Sequence, residues 1–101
     1  MSKYGASKQT VDGITFDSKA EAARYSILKL LEKAGKIQRL EVHPVYPLVV
    51  NGMKIGKYIG DFHYLENGAG ILEDVKGVKT AVYRLKKKLI KAIYGIEIRE
   101  T

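Results

Sequence analysis

The sequence predicts a mixed α/β fold: a small mixed sheet of about four strands flanked by two helices, in the order α-β-β-β-α-β after a short hairpin. Two segments repeat apolar residues at helical spacing, and the stretches between and after them read as extended. Glycine-containing pairs mark the turns. The 101 residues are expected to form one domain, 1–101, with no room for a second core. Residues 1–9 are polar and expected to be flexible. Asp12-Gly13 suits the positive φ angles of a hairpin loop. A helix follows over residues 18–34, with Ala23, Ile27, Leu30, Leu31 and Ala34 on one face and Gly35 as its stop. Residues 37–64 read as extended, with Pro44 and Pro47 marking an edge or bent strand and Asn51-Gly52 a turn. Within them a strand begins at Lys57 and runs over 57–65; a loop at 66–70 leads into a strand over 71–76. The second helix spans 80–94, with Val82, Leu85, Leu89 and Ile93 as its buried stripe and Gly95 beyond its end. Residues 96–100 alternate apolar and charged and form the last strand.

Composition excludes several classes. A hydrophobic fraction of 46% with 29% charged residues is too apolar for disorder. No apolar run approaches the roughly 20 residues that span a bilayer, so no membrane partner is expected. Met1-Ser2-Lys3-Tyr4-Gly5 lacks the apolar core of a secretory leader, which makes a cytoplasmic protein the expectation. The absence of cysteine removes disulfides, cysteine-ligated zinc and a thiol nucleophile. Carboxylates and two histidines remain as side-chain ligands, which favours a hard ion such as Mg²⁺. The charge is localised. Lys76, Lys79, Arg84, Lys86, Lys87, Lys88 and Lys91 fall in one stretch without an acid, and they account for the whole net charge of +7. Such a surface suits a polyanion, and nucleic acid is the expected partner.

Side chains alternate along a strand, so Asp61 shares a face with Ile59 and His63. On the next strand Leu72, Asp74 and Lys76 share a face, and Ile71, Glu73 and Val75 take the other. If the two strands pair, Asp61 comes near Asp74, with Lys76 one pleat further on. Adjacent carboxylates repel, and a divalent cation between them removes the conflict. A lysine beside that ion is equipped to orient or deprotonate a water, or to stabilise charge on a phosphate. Glu21 has two readings. It completes the capping-box pattern Ser18-Lys19-Ala20-Glu21, and it also lies on the helix near Leu28, where it could face the sheet. His63 is read as a hydrogen-bonded structural histidine, and His43 carries no functional assignment. Arg84, Lys87, Lys88 and Lys91, with Lys79 in the preceding loop, are the candidate contacts to a DNA backbone. Tyr83 among them is the candidate for stacking on a base.

An acid in Ile59-Gly60-Asp61-Phe62, followed by Glu73-Asp74-Val75-Lys76-Gly77 on the next strand, resembles the PD-(D/E)xK nuclease superfamily. The order of elements over residues 18–100 is similar too: a helix before the acidic strands, then a basic helix and a strand. The chain also looks like small phage and prophage proteins assigned to that superfamily, through Lys3-Tyr4-Gly5, residues 12–21, Asp61-Phe62 and residues 73–77. The resemblance implies a restriction-endonuclease-like core and a Mg²⁺- or Mn²⁺-dependent DNA endonuclease of a phage or prophage in a bacterial host. Branched DNA such as a Holliday junction is the expected substrate, and a homodimer is expected because two-fold symmetry suits two cuts. It implies that Asp61, Asp74 and the Val75 carbonyl ligate the metal, that Lys76 positions the water, and that Glu21 assists from the helix. Two departures stand out: Gly60 replaces the superfamily's proline, and the second acid is Asp74 rather than Glu, with Glu73 beside it as the alternative. A binding module of the same fold without turnover is the competing expectation.

Overall fold

A computed structural model describes residues 7–101 of the chain. Lys3-Tyr4-Gly5 and most of the segment expected to be flexible lie outside the described residues, but Gln9 already belongs to the first strand. The order of elements is β1 (Gln9–Val11), β2 (Ile14–Phe16), α1 (Lys19–Lys33), β3 (Gln38–Val42), β4 (Val45–Val50), β5 (Met53–Ile59), β6 (Phe62–Glu66), β7 (Ala69–Asp74), α2 (Ala81–Tyr94) and β8 (Arg99–Glu100). The mixed α/β class and the two helices agree with the sequence; between the helices there are five strands rather than about three.

The central sheet has the order β3-β6-β7-β8, antiparallel except for the parallel pair β7–β8 that α2 connects. Hairpins β1–β2 and β4–β5 form two further two-stranded sheets. Each hairpin turns on a pair of residues with positive φ, Asp12-Gly13 and Asn51-Gly52, and Asn67-Gly68 makes the third such turn between β6 and β7. The last replaces the longer loop expected over 66–70. Two cores lie on the two sides of the sheet. Phe16, Ala22, Tyr25, Leu28, Ile37, Phe62 and Tyr64 pack under α1. Leu48, Tyr58, Leu72, Tyr83, Ile90 and Ile98 pack under α2 and hairpin β4–β5.

Only part of each expected helix face is turned inward: Leu31 on α1 and Leu89 and Ile93 on α2 pack against the cores. On α1 the inward side chains are Glu21, Ala22, Tyr25 and Leu28, while Ile27 and Leu30 are exposed. On α2 they are Tyr83 and Ile90, flanked by half-buried Leu89 and Ile93, whereas Val82 and Leu85 face solvent. Both helices carry apolar residues on more than one side, and the aromatic side chains of the sheet select which side goes in. The strand expected over 57–65 is two strands in two sheets. The chain breaks at Gly60-Asp61, where Gly60 N–H donates to the Pro44 carbonyl and His43 N–H to the Asp61 carbonyl, each at 2.9 Å. That break sets Asp61 at the start of β6.

Candidate active site

The register Phe62↔Glu73 brings Asp61 level with Asp74 at the end of the β6–β7 pair. The two carboxylates brace one another through the backbone. Asp61 N–H donates to Asp74 Oδ1 at 2.9 Å, and Val75 N–H donates to Asp61 Oδ2 at 2.7 Å. Asp74 is 1% exposed, and its Oδ2 has no hydrogen-bond partner. The Lys76 ammonium stands 3.7 Å from that oxygen and 4.1 Å from the centroid of the Tyr83 ring, a cation–π contact that holds the ammonium beside the acids. Burial pushes both carboxyls above the usual carboxylate range, against the pull of the backbone donors and Lys76.

Glu21 approaches from α1. Ser18 caps the helix by accepting from the Glu21 N–H at 3.1 Å, so half of the capping box forms. The Glu21 carboxylate does not complete it: Oε1 lies 3.1 Å from His43 Nε2. Burial raises the Glu21 carboxyl, the His43 bond opposes that rise, and the charge of Asp61 adds to it. Of the two readings of Glu21, the structure keeps the Ser18 cap and directs the carboxylate to His43, near enough to Asp61 for the two charges to repel. His43, which carried no assignment, is the residue that orients it. His43 has φ 55, a left-handed backbone conformation that histidine tolerates better than most residues. Its distance along the chain from Glu21 leaves no local signal that could have found it.

Glu73 does not join Asp61 and Asp74. It is 0% exposed and points to the α1 side, where Arg24 donates to it from Nε at 2.6 Å and from Nη2 at 2.9 Å. The Tyr64 and Thr101 hydroxyls also donate to it. Its oxygens are therefore occupied within the fold. Gly60 explains itself as well. A Cβ at Gly60 would come within 2.7 Å of the buried Leu72 Cδ1, and a proline there would remove the N–H that Pro44 accepts. His63 sits 3.8 Å from Glu41 on β3, in keeping with a structural role.

The six candidate DNA contacts, Lys79, Tyr83, Arg84, Lys87, Lys88 and Lys91, line one groove of about 670 Å³ between α2 and the C-terminal strand. Two acids among its five cations offset part of its charge. Lys79 and Lys87 reach Glu100 at 2.9 and 3.1 Å, and Lys91 reaches Glu97 at 2.6 Å. Glu100, held by the Tyr83 hydroxyl and these lysines, has its pKa pulled down to about 2. Tyr83 is 7% exposed and its hydroxyl donates to Glu100 at 2.6 Å, so the stacking role expected of it gives way to a structural one. The sequence shows the lysines of this helix but not the acids that fold back on them.

Fold and site together define a small mixed α/β protein with two cross-braced carboxylates and a lysine at one end of its central sheet. No curated protein matches the chain. A family model described as "Protein of unknown function (DUF1064)" matches residues 1–101, and the chain belongs to that family. No helix among the described residues is long and apolar enough to cross a membrane.

Proposed function

We propose that the protein is a divalent-metal-dependent DNA endonuclease, acting in the bacterial cytoplasm as a phage or prophage product on branched DNA such as a Holliday junction. The observation that carries this reading is the Asp61–Asp74 brace, with the buried, unbonded Asp74 Oδ2 beside the Lys76 ammonium. The substrate structure rests on the resemblance to the PD-(D/E)xK superfamily alone.

The donor set fits Mg²⁺ or Mn²⁺. Among the described residues no three His, Asp or Glu side chains form a ready-made metal cage. The set is instead two carboxylates with the Val75 carbonyl, and a hard cation that keeps several waters accepts such a partial set. Asp61, Asp74 and Val75 would hold it, with Glu21 assisting. When bound, the ion supplies Lewis acidity at a phosphoryl oxygen and a lowered pKa for water. Lys76, steadied by the Tyr83 ring, places a positive charge where negative charge develops during phosphodiester hydrolysis. Glu21, oriented by His43, adds a third carboxylate, whose charge and that of Asp61 act on each other.

The test is a panel of linear, flapped and four-way DNAs with Mg²⁺, Mn²⁺ or EDTA. The parent should cut in either metal and not in EDTA, and Asp61→Asn should bind DNA without cutting. A parent that binds but never cuts supports the non-catalytic module instead.

Two-fold assembly is part of the proposal. The outer face of hairpin β4–β5 exposes Val45, Val49, Met53 and Ile55 as an apolar cluster, which Lys57 separates from Ile59 at the edge of the pocket containing Lys76. Scattered exposed apolar residues are ordinary, but several of them clustered on one hairpin face form a candidate docking surface for a second copy of the chain. Sedimentation of the parent should give a dimer, and Ile55→Lys a monomer. A parent that stays monomeric at high concentration removes this part.

A further inference from the structure

On the side of α2 that faces hairpin β4–β5 lies a second pocket, of about 320 Å³. It is lined by Lys57, Lys76 and Lys86, with Ile59, Thr80 and Val82 among their neighbours and no acidic residue. The three lysines come from different parts of the fold: Lys57 from β5, Lys76 from the loop after β7, and Lys86 from α2. Among the described residues neither Lys57 nor Lys86 makes an ion pair. Thr80 is the N-cap of α2, whose first turn contains no acid, so the positive end of a 14-residue helix points to the same place. The groove on the opposite side of α2 differs, because two acids, Glu97 and Glu100, stand among its cations and pair with Lys79, Lys87 and Lys91.

We infer that this pocket binds the phosphodiester backbone of a nucleic-acid strand. Lys57 and Lys86 grip phosphates flanking the one that reaches Lys76 and Asp74, and the Lys87–Lys91 groove is secondary. Rows of phosphates suit lysines spread over separate elements, which act as point charges without demanding one fixed geometry. The assignment deepens the nuclease reading, because it gives the path by which a strand reaches the acids. It is nevertheless testable without any cleavage.

Binding of a fluorescent four-way DNA and a linear duplex is measured by anisotropy in EDTA over a range of salt. Two double variants remove the same charge: Lys57→Ala with Lys86→Ala, and Lys87→Ala with Lys91→Ala. The first pair should weaken binding at least about tenfold and reduce the salt slope by about two. The second pair should shift the slope by less than about one. Far-UV circular dichroism and melting temperature check that each variant is folded. Equal effects from the two pairs, a larger effect from the second, or no DNA binding by the parent would overturn the assignment. A parent that binds through Lys57 and Lys86 but never cuts sinks the nuclease reading and leaves the pocket standing.

Discussion

Asp74→Asn is expected to abolish metal-dependent cleavage while raising the melting temperature of the metal-free protein. The loss of activity follows from the ligand set. A divalent ion contributes several kcal/mol of charge stabilisation to phosphoryl transfer, so its loss lowers the rate by at least about a thousandfold. The gain in stability follows from the environment of the carboxylate. Asp74 is buried, its Oδ2 has no hydrogen bond, and Asp61 lies beside it. Burial raises its pKa in spite of Lys76, which means that ionising this group costs the fold more than its partners return. A raised carboxyl contributes its full stability below the ordinary carboxylate range and loses it as pH rises through the elevated value. At neutral pH the parent therefore carries a cost that asparagine does not. Asparagine can still accept the Asp61 N–H through its side-chain oxygen. Thermal melts in EDTA should show the variant above the parent at neutral pH, with the gap closing in acid. Added Mg²⁺ should raise the parent's melting temperature and leave the variant unmoved, because only the parent keeps the site. A variant that melts below the parent and still cuts would remove Asp74 from the site.

The meeting of Asp61 with Asp74 beside Lys76 is largely legible along the chain. Asp74 and an acid in the otherwise apolar stretch around Asp61 need only the period of a strand and one hairpin to meet, whereas Lys76, expected on the same strand, reaches them from the loop after β7. Turns were readable for a similar reason. Asp12-Gly13 and Asn51-Gly52 impose their backbone conformation locally, whatever the rest of the chain does. The buried helix faces were only partly readable. Val82 and Leu85 look as suitable for a core as Tyr83 and Ile90, and only contact with Leu48, Tyr58 and Leu72 from distant strands decides between them. The break at Gly60-Asp61 was hidden as well, since β-type residues continue on both sides of it. His43 and Lys57 belong to no local motif, and nothing in the basic run sets Lys86 apart from its neighbours. All three matter through neighbours brought in by tertiary structure, Glu21 for the first and Lys76 for the other two. The charge on α2 is legible as a run but not as a surface, because Glu97 and Glu100 follow it in the chain and fold back onto its lysines.

Arg24→Ala should be the most destabilising single change near the site, and it should act through Glu73 rather than through chemistry. The Glu73 side chain is fully buried, and Arg24, itself 26% exposed, supplies two of its hydrogen bonds. Breaking such a pair leaves a buried charge without compensation, at about 3–5 kcal/mol. A domain of this size has about 5–15 kcal/mol in total, so the variant would be partly unfolded under mild conditions. The pH dependence separates this from a packing defect. Burial alone would push the Glu73 carboxyl up, but the Arg24 bonds and the Tyr64 and Thr101 hydroxyls outweigh it and hold the group below the usual range. A depressed carboxyl contributes stability that is present above its unfolded pKa and is lost as pH falls through the folded one. In Arg24→Ala that contribution disappears, so the deficit should be largest at neutral pH and shrink in acid, where Glu73 takes up a proton. Urea denaturation of parent and variant at neutral and acidic pH measures it. Glu73→Gln retains an acceptor for Arg24 and should lose less stability while continuing to cut DNA with Mg²⁺. The opposite pattern, an Arg24→Ala protein as stable as the parent and a folded Glu73→Gln protein that no longer cuts, would make Glu73 rather than Asp74 the second acid of the site.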